Sequence, residues 1–217
     1  MFFDMTALPA DICYKLLTAT VTPRPIAWIS TRSTDNIDNL APFSFFNVMG
    51  HEPPTVAIGL LRNPERGLKD TAYNILTTGE FVVHLVPYRL AEEMNATAAE
   101  VPADVDELKA TGLSIVPSHF VKPPRIAESA VTFECRSLTS VMTGPQQVVV
   151  IGTVLCAHID EKHIIDAERG HIDTPSLDLI SRMHGSGWYA RSTDIFEMKR
   201  PQGPSSDHFA ALAAKGR

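Results

Sequence analysis

The sequence predicts a mainly β protein with peripheral helices, folded as an antiparallel, Greek-key-like barrel. Three observations carry that expectation. The apolar runs are short and rich in Val, Ile and Phe, the composition of strands rather than helices. Glycine, proline and polar turn residues punctuate them. Strands and helices do not alternate regularly, and no G-x-G-x-x-G follows a strand, so a doubly wound parallel sheet is disfavoured.

Strands are expected over residues 25–31, 56–60, 81–86, 130–141 and 147–159. In the fourth, Val131, Phe133 and Cys135 alternate with Thr132, Glu134 and Arg136, so one face is buried and the other wet. Residues 142–146, Met-Thr-Gly-Pro-Gln, are a turn signal that pairs the last two strands as a long hairpin. The final strand is apolar on both faces, which suits the barrel wall or a subunit interface. A helix is expected over 70–78, where Ala72, Ile75 and Leu76 have helical spacing and Gly79 is placed to end it. Further helices are expected over 90–99 and over 105–111, the latter closed by Gly112. Residues 1–200 read as one domain, and the polar residues 201–217 as a tail that covers a surface or frays.

With 217 residues, 44% of them hydrophobic and 20% charged, the chain can build a substantial core. A net charge of -6 and a pI near 5.7 argue against a nucleic-acid partner, which needs a basic face. No run approaches the ~18 apolar residues of a membrane span. The first residues lack the cationic and apolar regions of a secretory signal. Cys13, Cys135 and Cys156 are odd in number and widely spaced, which suits a reducing cytoplasm and inert, mostly buried thiols. His158, His163 and His171 show no metal-ligand spacing, so no metal is expected. No G-x-S-x-G elbow is present either.

Four segments could carry chemistry. In residues 22–31, Pro23 and Pro25 stiffen the backbone around Arg24, and Ser30 and Thr31 follow as strand hydroxyls. A rigid guanidinium near hydroxyls suits a phosphate or a planar polar ring, although a surface arginine beside an ordinary strand would read the same way. Residues 39–47 set Phe43, Phe45 and Phe46 among Asn39, Ser44 and Asn47. Pro42 donates no amide, so the backbone is expected to leave its ladder there and offer polar groups to a flat ring. Residues 62–71 bring Arg62, Arg66, Lys69 and Thr71 to the start of a helix, a possible phosphate cradle, although Asp70 as N-cap would occupy some of the same amides. Residues 181–189 combine Gly185 and Gly187 with His184, Trp188 and Tyr189, groups that could cover a ring.

Taken together, the segments TPRPIAWIST, NLAPFSFFN, EPPTVAIGL, KDTAYNI, TTGEFVVHLV and SRMHGSGWY resemble the flavin reductase-like, or flavoredoxin-like, family of FMN-binding split barrels. The resemblance covers roughly residues 14–200. It implies a homodimer with FMN in a groove near the subunit interface. Arg24, Pro25, Ile26, Ala27, Ser30 and Thr31 would form part of the flavin site. Asn39, Ala41, Pro42 and Ser44 would meet the ring edge, and Lys69, Asp70 and Thr71, with Arg62 nearby, would hold the phosphate. His84 stands where a small amide residue is often found, and Met183-His184 replaces a commoner Leu-Gly.

The activity the resemblance implies is reduction of flavin by NADH or NADPH, with hydride passing to flavin N5 and on to free flavin, a partner monooxygenase or another acceptor. His184 and Tyr189 would shape the nicotinamide side. An FMN electron carrier fed by a protein partner, or a non-catalytic FMN-binding module, would use the same scaffold.

Overall fold

A computed structural model describes residues 1–62, 67–99, 101–102 and 105–199. Residues 201–217, read above as a tail, and Arg66 lie outside them. Seven strands form one sheet: β1 (Ala27–Arg32), β2 (Asp38–Phe43), β3 (Phe46–His51), β4 (Pro54–Leu61), β5 (Glu80–Leu85), β6 (Val131–Gly144) and β7 (Gln147–Ile159). Their spatial order is β2-β1-β5-β6-β7-β4-β3, antiparallel throughout. The link from β2 to β3 crosses at Ser44 and Phe45, where the Gly59 amide of β4 donates to the Phe45 carbonyl at 2.7 Å.

The long hairpin forms as expected but turns more tightly. Both strands run up to Pro145-Gln146 instead of giving way at Met142. The expected departure at Pro42 does not occur. Pro42 stays in register opposite Trp28, because β2 is an edge strand and a missing amide costs nothing on the open side. The helix at α2 (Asp70–Thr78) matches its expected bounds, and Gly79 closes it with φ 74°. The other two are shorter than expected: α3 spans Ala91–Ala96 behind a 3-10 turn over Tyr88–Leu90, and α4 spans Glu107–Ala110. Helix α1 (Ala10–Thr20) was not anticipated, since only Thr18 on it is buried and its apolar pattern is correspondingly weak.

β1 explains the layering. Its alternate residues Ala27 and Ile29 enter the barrel interior with Ile58, Phe81, Val83, Cys135 and Val150. Trp28 faces the other way, into a second core with Leu40, Met94, Leu108 and Ile126. Its indole Nε1 donates to Thr97 Oγ1 at 2.8 Å, so burying that polar group leaves no donor unpaired. Ala72 and Ile75 of α2 stop the barrel core. Gly152 is required for packing: a Cβ there would lie 2.4 Å from Phe81 Cζ.

Candidate functional site

Where the N-terminus of α2 meets the edge strand β2, the surface opens into a cleft of about 490 Å3. That volume lies within the range of small-molecule sites. Strand alternation points Asn39, Ala41 and Phe43 toward it, while Leu40 enters the core. Leu68, Lys69, Asp70 and Thr71 supply the opposite wall, and Thr97 to Ala99 and Glu107 the third. A smaller recess of about 180 Å3 adjoins it, sharing Pro42, Phe43 and Lys69 and adding Ser44 and Tyr14.

Asn39 is the hub. Its Oδ1 accepts from Thr71 Oγ1 at 2.6 Å and from Thr31 Oγ1 at 3.3 Å, and its Nδ2 donates to Glu107. Asn74 Nδ2 donates to Thr31 Oγ1 at 3.0 Å. Thr71 and Asn74 lie three apart and so share one face of α2, while Ala72 and Ile75 bury the adjacent face. One helix therefore seals the barrel and locks the asparagine.

Lys69 is the N-cap of α2 and Asp70 the first helical residue, and among the described residues no side chain caps the helix. The reading of Asp70 as N-cap is thus corrected, and its carboxylate does not occupy the first-turn amides. Those donors and the positive end of the helix dipole sit at the cleft wall, the arrangement that favours an anion.

Glu107 was not anticipated. It is 8% exposed and accepts the Leu40 amide at 2.8 Å. Burial, then the neighbouring Asp70, pushes its carboxyl up to about 7 against those hydrogen bonds. In the sequence it is one acid in the first turn of a short helix, where acids are ordinary. Nothing local marks it as facing a cleft.

Of the residues singled out in the sequence, the structure brings Asn39, Ala41, Pro42, Lys69, Asp70 and Thr71 together around the cleft, with Ser44 in the adjoining recess. Thr31 stands behind Asn39. The others are placed elsewhere. Arg24 is 6% exposed and donates to the carbonyls of Thr18 (2.6 Å), Val21 (2.9 Å) and Met183 (3.1 Å), and through Nε to Ser44 Oγ at 3.4 Å. Burial, then the charge of Arg182, lowers its pKa. Pro25 pairs with Ser181, and the side chains of Ile26 and Ala27 belong to the two cores. Ser30 donates inward to the Pro124 carbonyl at 2.6 Å. Arg62 reaches the hairpin turn, donating to the Pro145 carbonyl at 2.9 Å.

His184 and Trp188 stack at 5.6 Å, and Arg182 lies 4.8 Å over the Tyr189 ring. This small aromatic group belongs to the sheet formed by Arg24–Pro25, Ile180–Arg182 and Tyr189–Arg191. Arg24 is its tether, since it joins the Met183 carbonyl to the Ser44 loop.

Residues 19–171 match the family described as "Flavin reductase like domain". A protein of Deinococcus radiodurans is 44% identical over 202 residues, covering 91% of this chain and 88% of that protein. Nitrilotriacetate monooxygenase component B from Bacillus cereus superposes with a TM-score of 0.85 at 29% identity, over 91% of this chain and 98% of that one. Pseudomonas fluorescens 2-nitrobenzoate 2-nitroreductase NbaA gives 0.84 at 29%, over 95% and 100%. The fold is the split barrel of solved flavin reductases.

Proposed function

Because the chain belongs to the flavin reductase-like family, we propose that it is an FMN-dependent reductase that takes hydride from NADH or NADPH and delivers electrons to free flavin, a partner monooxygenase or another acceptor. One observation carries the reading: a single cleft joins a helix start, a locked amide and apolar walls. A phosphate, a heteroaromatic edge and a ring face require those three surfaces respectively.

In this reading the first-turn amides of α2, that of Thr71 among them, hold the phosphate with Lys69 beside them. Asn39, with Thr31 behind it, presents its amide at the ring edge. Ala41, Pro42, Phe43 and Leu68 line the ring face and exclude water. Ser44 completes the edge of the site, set in place by Arg24, whose donors are directed at protein groups; Arg24 thus acts through Ser44 and the Met183 turn. Pro25, Ile26, Ala27 and Ser30 contribute by building the strand behind the site, and Arg62 by fixing the hairpin turn. His184, Trp188 and Tyr189 are proposed to shape the nicotinamide side. Flavin held there would supply the hydride-accepting and electron-donating chemistry, and the protein its position and the exclusion of water.

Titrating the purified protein with FMN and then with NADH or NADPH without oxygen tests this directly. Rapid bleaching of a bound flavin spectrum is the expected result and identifies the donor. Flavin that stays oxidised would replace the reductase with an electron carrier. Failure to take up FMN would overturn the reading.

The proposal includes a homodimer and a cytoplasmic setting; among the described residues no helix is long and apolar enough to cross a membrane. Leu138, Val141 and Met142 on β6 and Val48 and Met49 on β3 are all at least half exposed, a cost a monomer would bear without return. Light scattering is expected to give twice the 23.8 kDa of the chain, and Leu138→Asp to shift it toward the monomer.

A further inference from the structure

We propose that Glu134, Cys156 and His158 form a binding site for one divalent transition-metal ion of the zinc class. Their ligand atoms all lie within 4.8 Å of one another. His158 Nε2 stands 2.8 Å from Glu134 Oε1 and 3.4 Å from Cys156 Sγ.

The two contacts meet on the same ring nitrogen. A relay that activates the thiol would need the carboxylate at one imidazole nitrogen and the thiol at the other. Three ligand atoms this close to one another can instead share a single ion, and a nitrogen, sulfur and carboxylate set suits zinc. Three protein ligands leave the fourth position to water.

The strand geometry builds this cluster. Cys156 and His158 are two apart on β7 and project from one face. Val154 pairs with Cys135, but Cys156 pairs with Glu134, so a bulge at Leu155 brings the thiol opposite the carboxylate. Bulges commonly re-aim side chains in this way. Without the bulge, Leu155 would face Glu134.

The surroundings hold the ligands in place. The His119 and Phe120 amides donate to the two Glu134 oxygens at 2.8 and 2.6 Å. The His119 ring stacks on His158 at 5.2 Å and 16°. Such outer contacts orient metal ligands. The competing charge is Arg125, whose Nε lies 3.8 Å from Glu134 Oε1 and also donates to the Pro117 carbonyl at 3.3 Å. On binding, the thiol proton leaves to solvent and a sulfur–metal bond replaces it. The imidazole binds through Nε2 as the neutral ring, and metal binding releases the thiol proton.

None of these residues lines the cleft, so the metal proposal does not rest on the flavin site proposed above. Titration of the full chain with Co2+ alone tests it. One equivalent is expected to produce a near-ultraviolet thiolate-to-cobalt band and visible bands of four-coordinate cobalt, and Zn2+ is expected to displace them. Cys156→Ser is expected to abolish the thiolate band and His158→Ala to weaken binding by at least about tenfold, while Cys13→Ser keeps both and FMN binding is unchanged in all three. Arg125→Gln is expected to tighten binding. A silent titration, or a band that survives Cys156→Ser and disappears in Cys13→Ser, overturns the proposal and leaves an ion-paired cluster only.

Discussion

Replacing His84 with leucine is expected to lower the free energy of unfolding by about 3 kcal/mol at neutral pH, because two buried backbone groups lose their partner. His84 is fully buried. The Ile126 amide donates to its Nε2 at 3.0 Å, which makes Nδ1 the protonated nitrogen, donating to the Trp28 carbonyl at 2.9 Å. The imidazole thus ties β1 and β5 to the Arg125–Ile126 segment. Leucine fills much of the volume and satisfies neither group.

The same residue imposes a pH dependence. Burial, and then the charge of Arg125, pushes its pKa down to about 4 from an ordinary 6.5, against the Trp28 bond. Between those values the unfolded chain holds a proton that the folded protein does not. Stability from this group is therefore complete above about 6.5 and declines as pH falls toward 4, by roughly 3 kcal/mol in all. Urea unfolding followed across that interval should show a decline in the parent that is shallower in His84→Leu. Parallel curves would disprove the linkage.

The second large effect is expected at Glu107. Its carboxyl titrates near 7, so the cleft gains a negative charge beside Asp70 as pH rises through neutrality. If the phosphate of FMN sits at the start of α2, its affinity should fall by about tenfold from about pH 6 to about pH 8. Glu107→Gln, which keeps an acceptor for the Leu40 amide, should bind FMN with little pH dependence over that interval. Riboflavin, lacking the phosphate, should respond weakly in both proteins. Fluorescence quenching titrations give the constants, and an equal pH response in parent and variant would remove Glu107 from the site.

Glu107 has a matching effect on folding. Its folded pKa lies above the usual 4.5, so the folded state holds an extra proton between 4.5 and about 7. The stability it contributes is present below 4.5 and is lost as pH rises through 7. That is the opposite sign to His84, and Glu107→Gln should remove it.

Much of the fold and part of the site are legible along the chain because their determinants are local. Alternation in 131–136, a glycine-proline turn between two apolar runs, and Gly79 after a helical repeat each act over a few residues. They correctly mark β6, β7 and α2. Asn39, Lys69 and Thr71 stand out by side-chain type alone, whereas the edge strand Asp38–Phe43 that turns Asn39 toward the cleft was not expected along the chain.

What the sequence cannot express is which distant atoms meet. Arg24 looks like a ligand-binding arginine, yet its donors are taken by carbonyls from residues 18, 21 and 183. Ser30 reads as a strand hydroxyl of the flavin site, yet it is buried and donates to the Pro124 carbonyl. Glu107 reaches the cleft only because α4 packs against β2. Glu134 and Cys156 are 22 positions apart with no metal-ligand spacing, and one bulge in the hairpin sets them face to face. Strand identity and helix ends follow from nearest-neighbour chemistry, which the sequence determined alone. Direction, burial and partnership follow from register and packing, which exist only once the barrel has closed.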